Sequence, residues 1–231
     1  MNTILHQLKN NGLVWQGATR MPQRPSTPTA PEDYLATHIP GGLTDHPAVE
    51  IGSPAGIGEL RLLLPKLRAN AEDNNRLLVW IGPPHKPNAE ALHHAGVALS
   101  RVLILHPKTA KHALWAAEQC LGSGACHSVL LWHSRLNVAQ LQRLQQAAGR
   151  GQAQLFWLHD QHSLNPALPI SLSMDLQPHP EGLQITVRKC RGSWPPAPFI
   201  IDMRQHWPKL TLTDPVASSQ NLIIFPGSRA S

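Results

Sequence analysis

Residues 48–64 read AVEIGSPAGIGELRLLL, and their pattern indicates a strand, a turn and a helix in succession. The apolar run Ala48–Gly52 predicts a strand, the glycines after it predict a tight turn, and a helix is expected from Ile57 to about Ala69. Leucines at three- and four-residue spacing give that helix one apolar face. Pro65 lies within it and is expected to kink or shorten it.

A strand, a glycine-rich turn and a helix are also the setting of a phosphate-binding loop. The glycines here are Gly52, Gly56 and Gly58. A working loop needs Lys after its last glycine and then Ser or Thr for Mg²⁺, but those places hold Glu59 and Leu60. A carboxylate about 4 Å from a triphosphate would repel it by roughly 4 kcal/mol at an effective dielectric of about 20. We therefore expect no nucleoside triphosphate binding: the glycines either only form the turn or retain a simple anion site.

Downstream of this stretch, short apolar runs alternate with segments of helical period. Strands are predicted at 76–81, 102–105, 129–132 and 154–158, and helices at 88–94, 109–121 and 137–148. Such alternation predicts an α/β fold with a mostly parallel sheet, right-handed crossovers and helices on both faces. Ile170–Leu176 and Leu183–Cys190 flank a turn rich in Pro and Gly, so an antiparallel C-terminal strand pair is expected to extend the sheet.

The composition limits the class of protein. The 231 residues carry 20 Lys and Arg against 14 Asp and Glu, and the formal net charge of +6 permits contact with nucleic acid or an acidic partner without requiring it. Cys120, Cys126 and Cys190 are odd in number and lack C-x-x-C spacing, which argues against a disulfide framework and a zinc site. No histidine cluster has metal-ligand spacing, so no metal is expected. No signal peptide and no run of about 18 apolar residues is seen, so a cytoplasmic protein without membrane contact is expected.

The chain divides into three predicted parts. Residues 1–39 form an arm with a short helix and a proline-rich segment, residues 40–205 form the α/β domain, and residues 206–231 form a tail. The tail contains one apolar stretch that could pair with a sheet edge of this protein or of a partner. Its candidate docking residues are Gln220, Leu222, Ile223 and Phe225.

Several segments resemble the ATPase core of the RecA recombinase. They are residues 49–58, residues 78–97, and the helix that leads into Ser123-Gly124-Ala125 with the apolar strand after it. Residues 187–189 and 198–199 resemble the last core strand of the recombinase and its exit. The resemblance covers residues 48 to about 199, and it implies a RecA-like domain.

The positions that carry catalysis in that family hold other residue types here. The catalytic glutamate falls at or near Pro84, the Walker B aspartate falls at Trp132 or His133, and the glutamine that senses the γ-phosphate would lie near Asp160. The resemblance therefore implies a pseudo-ATPase that is not an enzyme and needs no cofactor. Three indoles, those of Trp80, Trp132 and Trp157, are expected to fill the vacant nucleotide cleft.

A second resemblance is more specific. Residues 56–65, GIGELRLLLP, are very similar to the signature of the ImuA family of translesion-synthesis accessory proteins, and residues 40–43 and 113–125 look like the same family. That family is related to the cell-division inhibitor SulA. The resemblance implies a noncatalytic adaptor of the SOS-induced translesion-synthesis mutasome, with ImuB, an error-prone DNA polymerase III alpha subunit and RecA as partners. The alternative is a SulA-like SOS cell-division inhibitor that binds FtsZ; the late segment 187–199 favours ImuA, since SulA chains tend to be shorter.

One further group of residues is a candidate contact for a partner or, weakly, for DNA. Arg188, Lys189 and Arg191, followed by Trp194, combine cationic and stacking groups that could contact phosphate and an unpaired base. The alternative is an ordinary solvated strand end.

Overall fold

The computed structural model describes residues 14–16, 33–72, 75–160, 168–204 and 207. Within them lie nine strands: β1 (Val14–Gln16), β2 (Ala48–Gly52), β3 (Leu77–Ile81), β4 (Val102–Leu105), β5 (Cys126–Trp132), β6 (Gln154–His159), β7 (Leu172–His179), β8 (Gly182–Cys190) and β9 (Phe199–Asp202). The α-helices there are α1 (Glu59–Glu72), α2 (Ala89–His94), α3 (Ala110–Gly122) and α4 (Val138–Gly151).

All nine strands belong to one sheet, in the order β1-β4-β3-β5-β6-β2-β7-β8-β9. The strands from β4 to β7 pair in parallel, β1 is antiparallel to β4, and β8 and β9 continue the sheet from β7 as antiparallel strands. The predicted α/β class, the mostly parallel sheet and the antiparallel C-terminal pair are confirmed. The glycine turn leaves β2 at the carboxyl edge of the parallel strands, which is where open α/β sheets bind ligands.

Helices cover both faces of the sheet. On one face, α1, α2 and the turn-rich segment 33–46 pack on β2, β3 and the C-terminal hairpin; on the other face, α3 and α4 pack on β5 and β6. Both faces of the central strands are therefore buried, which explains why those strands read as continuous apolar runs rather than as alternating ones.

Side-chain caps set the starts of three helices. The side chains of Asn88, Thr109 and Asn137 accept hydrogen bonds from backbone N–H groups in the first turns of α2, α3 and α4. Gln140 completes a capping box with Asn137. Because the first four N–H groups of a helix have no partner within it, these polar residues mark the starts that the sequence predicted to within one residue.

Helix α1 continues through Pro65 to Glu72, so the predicted shortening at the proline does not occur. Proline in a helix interior costs about 3 kcal/mol. Leu62, Leu63 and Leu67 around it are fully buried, and each contributes roughly 1.5–3 kcal/mol on burial. Packing on the sheet therefore outweighs the missing hydrogen bond.

Three other features differ from the sequence predictions. The sheet gains β1 and β9 at its two edges, and β5 begins at Cys126 rather than at Val129. The packed unit also extends beyond the predicted boundary at residue 40, since Leu35 and Ile39 belong to the same core as β2. The predicted helix over residues 3–10 and the tail over 206–231 lie outside the described residues, apart from Trp207.

Candidate functional site

A cleft of about 290 Å³ lies at the carboxyl edge of the parallel strands, beside the ends of β2, β5 and β6. Its walls include Glu59 of the glycine turn, Pro84, Trp132, His133 and Asp160. These are the positions at which the RecA resemblance places catalytic groups. The fold thus brings together residues that are up to 101 positions apart in sequence, and it does so at the edge where a nucleotide would be expected.

The carboxylate of Glu59 fills the anion cradle of the glycine turn. Its Oε1 accepts a hydrogen bond from the backbone N–H of Gly56 at 3.4 Å, and its Oε2 accepts one from the N–H of Gly58 at 3.1 Å. Both glycines have positive φ, +83° and +108°, which other residues rarely adopt. Glu59 also begins α1, where the helix dipole favours negative charge. A phosphate entering this turn would meet a carboxylate that already uses the N–H donors.

Only one of the three tryptophans expected to fill the cleft lines it. Trp132 forms part of the wall and packs against Trp80 with ring centroids 5.6 Å apart, while Trp80 itself is buried in the core behind it. Trp157 faces α3 and α4 on the other side of the sheet, and its Nε1–H donates to the carbonyl oxygen of His133 at 2.6 Å.

Two histidines bring polar groups to the cleft. Burial lowers the pKa of His133, partly offset by a backbone hydrogen bond to Arg135, so its ring is neutral near pH 7. His159 is buried, and its Nε2 lies 3.2 Å from Oε1 of Glu50, a buried carboxylate on β2. Among the described residues no hydrogen-bond partner reaches Nδ1 of His159.

Of the predicted contact residues for a partner or DNA, two bond to other parts of the fold and two are exposed. The Nε of Arg188 donates to Oδ2 of the buried Asp175 at 2.6 Å, and the Nζ of Lys189 donates to the carbonyl oxygen of Leu168 at 2.7 Å. A buried carboxylate without a partner is strongly destabilising, so Arg188 serves the fold. Arg191 and Trp194 are exposed, with Trp194 at 94%. The tail residues Gln220, Leu222, Ile223 and Phe225 lie outside the described residues.

Most leucines of the signature segment in α1 pack in the core and are not exposed to a partner. Leu62, Leu63, Leu64 and Leu67 are buried, and Leu60 is half-buried. Among the described helices, two large apolar side chains are exposed: Trp115 of α3, at 59%, and Val138 at the start of α4, at 42%. Sequence reasoning missed Trp115, although it falls between Ala113 and Ala117, which the helical period places inward. A large apolar residue at an outward position was the available signal.

Comparison with known proteins identifies a related segment. Residues 54–155 match the family model described as cell division inhibitor SulA. The match runs from the glycine turn to the beginning of β6, so it includes all four described helices.

Individual relatives agree with this match. Cell division inhibitor SulA of Edwardsiella piscicida is 36% identical over 104 residues, which is 45% of this chain and 62% of that protein. The SulA of Pseudomonas aeruginosa is 38% identical over 96 residues, 41% of this chain and 60% of that protein. The crystal structure of SulA from Pseudomonas aeruginosa shows 34% identity and a TM-score of 0.41, covering 48% of this chain and 96% of that one. The chain spans about three fifths of the length of the curated relatives it matches.

The helices that the structure describes include none that is both long enough and apolar enough to cross a membrane.

Proposed function

We propose that the protein is a noncatalytic regulator of the SulA type: an SOS-related cell-division inhibitor that binds FtsZ. The observation that carries this proposal is the match of residues 54–155 to the cell division inhibitor family, together with relatives of the same name at 33–38% identity. The matched segment contains the cleft-forming turn and all four described helices. Division inhibition is thus favoured over the translesion-synthesis adaptor that the sequence resemblance put first.

The absence of catalysis is part of the proposal. Glu59 stands where a phosphate-binding loop has lysine, and its carboxylate uses the N–H groups of Gly56 and Gly58. Trp132 and His133 stand where a Walker B aspartate would hold Mg²⁺. A protein with this cleft acts by binding a partner, not by hydrolysing a nucleotide.

Trp115 is the proposed contact for FtsZ. It lies inside the matched segment, on a helix whose opposite face packs in the core. Tryptophan is also enriched among the residues that contribute most of the binding energy at protein interfaces. Lys111 and Glu118 lie three or four residues from it on the same helix and provide a polar rim.

The test is an assay of FtsZ polymerisation and GTPase activity with the purified full chain. We expect the chain to inhibit both, and Trp115→Ser to weaken the inhibition by about thirtyfold or more. Trp194→Ser is the matched control, because it removes an equally large exposed indole outside the matched segment. Full-chain protein that leaves FtsZ assembly unchanged at saturating concentration would refute the division-inhibitor proposal.

A second function is favoured by the part of the chain beyond the match. Strands β7, β8 and β9 extend the sheet after residue 155, and the exposed Arg191 and Trp194 lie between β8 and β9. This surface supports the mutasome adaptor, with ImuB, the error-prone polymerase or RecA as partners.

A pull-down from DNA-damaged native cells after nuclease treatment separates the two functions. Retention of ImuB, the polymerase or RecA, lost on Trp194→Ser and kept on Trp115→Ser, would support the adaptor. Retention of FtsZ without them would support the division inhibitor. Deletion of Gln220–Ser231 in the same experiment tests the tail, and unchanged partner retention would exclude docking through it.

A further inference from the structure

A second cavity of about 290 Å³ lies at the opposite edge of the sheet, where the parallel strands begin. It opens beside the amino ends of β2, β3, β5 and β6, between the last turns of α1 and α4. Its lining contains Lys66, Arg76 and His127 together with the side-chain amides of Asn70 and Gln154. None of the described residues that line it is acidic.

A β-bulge brings His127 into this cavity. Leu77 of β3 registers with Cys126 and Leu78 registers with Ser128, so His127 is the extra residue on β5. Bulges re-aim side chains and recur beside functional sites. The His127 residue is only 4% exposed, yet no described hydrogen-bond partner reaches its Nε2.

Hydrogen bonds around His127 engage one of its two ring nitrogens. Asn70 Nδ2 donates to Ser128 Oγ at 3.2 Å, and Ser128 Oγ lies 2.9 Å from Nδ1 of His127. Burial, with Arg76 and Arg101 nearby, lowers the pKa of His127 to about 4, so the ring is neutral at pH 7. In the tautomer whose Nδ1 accepts the Ser128 hydroxyl proton, the ring N–H is on Nε2, which has no hydrogen-bond partner among the described residues.

Several carbonyl groups at this edge already accept hydrogen bonds. Arg76 donates to the carbonyl oxygens of Gly151 and Gln152 at the end of α4, and Gln154 Nε2 donates to the carbonyl oxygens of Leu43 and His46. Arg76 thereby offsets the negative end of α4. Among the described lining residues, Lys66 and Arg76 carry positive charge, and His127 is buried with a ring nitrogen that has no described partner.

We propose that this cavity binds a phosphoryl group, with the Nε2–H of His127 and the ammonium of Lys66 as donors and Arg76 as the neighbouring positive charge. Lys66 is half-buried and bonds only one described oxygen, Thr44 Oγ1 at 2.9 Å, so two of its protons can serve an anion. The chemistry fits free phosphate or pyrophosphate, and it equally fits the terminal phosphate of a nucleic-acid strand. The cleft at the other edge is lined by the acidic Glu59 and Asp160 and, among the described residues, by no Lys or Arg. It is therefore less suited to an anion.

The experiment is calorimetric titration of the full chain with inorganic pyrophosphate, and with a short oligothymidylate that carries either a 5′-phosphate or a 5′-hydroxyl group. We expect the calorimetric titration to detect pyrophosphate binding. In NMR spectra of the same mixture, we expect the ring resonances of His127 to shift. A preference for the 5′-phosphate over the 5′-hydroxyl strand would assign the phosphate to a nucleic-acid end. Binding of pyrophosphate with no such preference would assign it to a free phosphate.

Two variants and a control make the proposal falsifiable. Lys66→Gln and His127→Gln should each weaken pyrophosphate binding by about tenfold. Lys108→Gln, which removes an exposed charge beyond the carboxyl end of β4, should leave it unchanged. Because Lys66 lies near the surface, its variant tests the site even if the buried His127→Gln fails to fold. Either of two results would overturn the proposal: no binding of pyrophosphate at concentrations up to about 10 mM, or equal affinity of Lys66→Gln and Lys108→Gln for pyrophosphate.

Discussion

At the scale of single residues, two buried carboxylates, those of Glu59 and Asp175, take their partners from within the fold. Glu59 serves as an internal anion for its own glycine turn, and Asp175 is compensated by Arg188. The N–H groups of the glycine turn, which could bind an anionic ligand, are used by Glu59. Arg188, which the sequence analysis offered as a contact for a partner, is used by Asp175. A buried charge needs a partner, and in this chain the partners come from within the fold.

Removal of the Glu59 carboxylate is the first prediction at this scale. Glu59→Ala should lower the free energy of unfolding by about 1–3 kcal/mol, because two loop N–H groups lose a charged acceptor. Urea unfolding monitored by circular dichroism measures it. Glu90→Ala, which removes an exposed acid from the first turn of α2, should change stability by less than about 0.5 kcal/mol. Equal effects of the two substitutions would contradict this role for Glu59.

Buried histidines give a prediction for pH. His46, His127 and His133 have their pKa values lowered by burial, that of His127 to about 4. As the pH falls below about 6.5, the unfolded chain therefore binds protons that the folded chain does not, and stability is lost. From the shift in its pKa, we expect His127 to contribute a loss of about 3 kcal/mol between pH 7 and pH 4.

The measurement is the free energy of unfolding from pH 7.5 to pH 4.5, a range chosen around the ordinary pKa of histidine. His127→Gln should flatten its decline toward low pH, whereas His112→Gln, at an exposed position on α3, should leave the slope unchanged. A slope that is identical in the wild type and in His127→Gln would show that His127 is not buried in its neutral form.

At the scale of elements, a glycine allows the ends of α3 and α4 to approach each other closely. Gly151 ends α4 against the end of α3, and a Cβ there would fall on the backbone carbonyl oxygen of Leu121. Gly149, two residues earlier on the same helix, is exposed and has open space around its Cβ position. Both glycines lie in the last turn of α4, but a Cβ would clash with backbone at Gly151 and would meet open space at Gly149.

Alanine substitution at these two positions should therefore have opposite effects. Gly151→Ala should destabilise the protein by about 1–3 kcal/mol, because backbone cannot move aside as a flexible side chain does. Gly149→Ala should stabilise it by up to about 1 kcal/mol through helix propensity. Thermal unfolding of both variants measures the difference, and similar melting temperatures would contradict the described contact of α3 with α4.

At the scale of the whole molecule, the segment related to SulA is not a structural unit by itself. The family match begins at residue 54, but β2 (Ala48–Gly52) lies between β6 and β7 in the middle of the sheet. The segment 33–46 also supplies buried residues to the core on that face. Removal of these parts would leave the edge of β6 open.

A comparison of fragments tests this dependence. Residues 33–204 should unfold cooperatively, whereas residues 54–160 should lack a cooperative transition or should aggregate. Circular dichroism during heating, with sedimentation to detect association, distinguishes the two. Cooperative unfolding of a monomeric 54–160 fragment would show that the matched segment folds without β2.

Local sequence patterns were enough to predict the α/β class, the helix starts at Asn88, Thr109 and Asn137, and a turn in which Glu59 stands where a phosphate-binding loop has lysine. These depend on local patterns, such as apolar period, capping side chains and residue type, which act over a few positions. The order of the strands, the continuation of α1 through Pro65 and the edge strand β9 depend on packing between distant segments. They are visible only once the chain is folded. The same is true of the ion pair of Arg188 with Asp175, the burial of most leucines of α1, and the bulge that brings His127 to a cavity with Lys66 and Arg76.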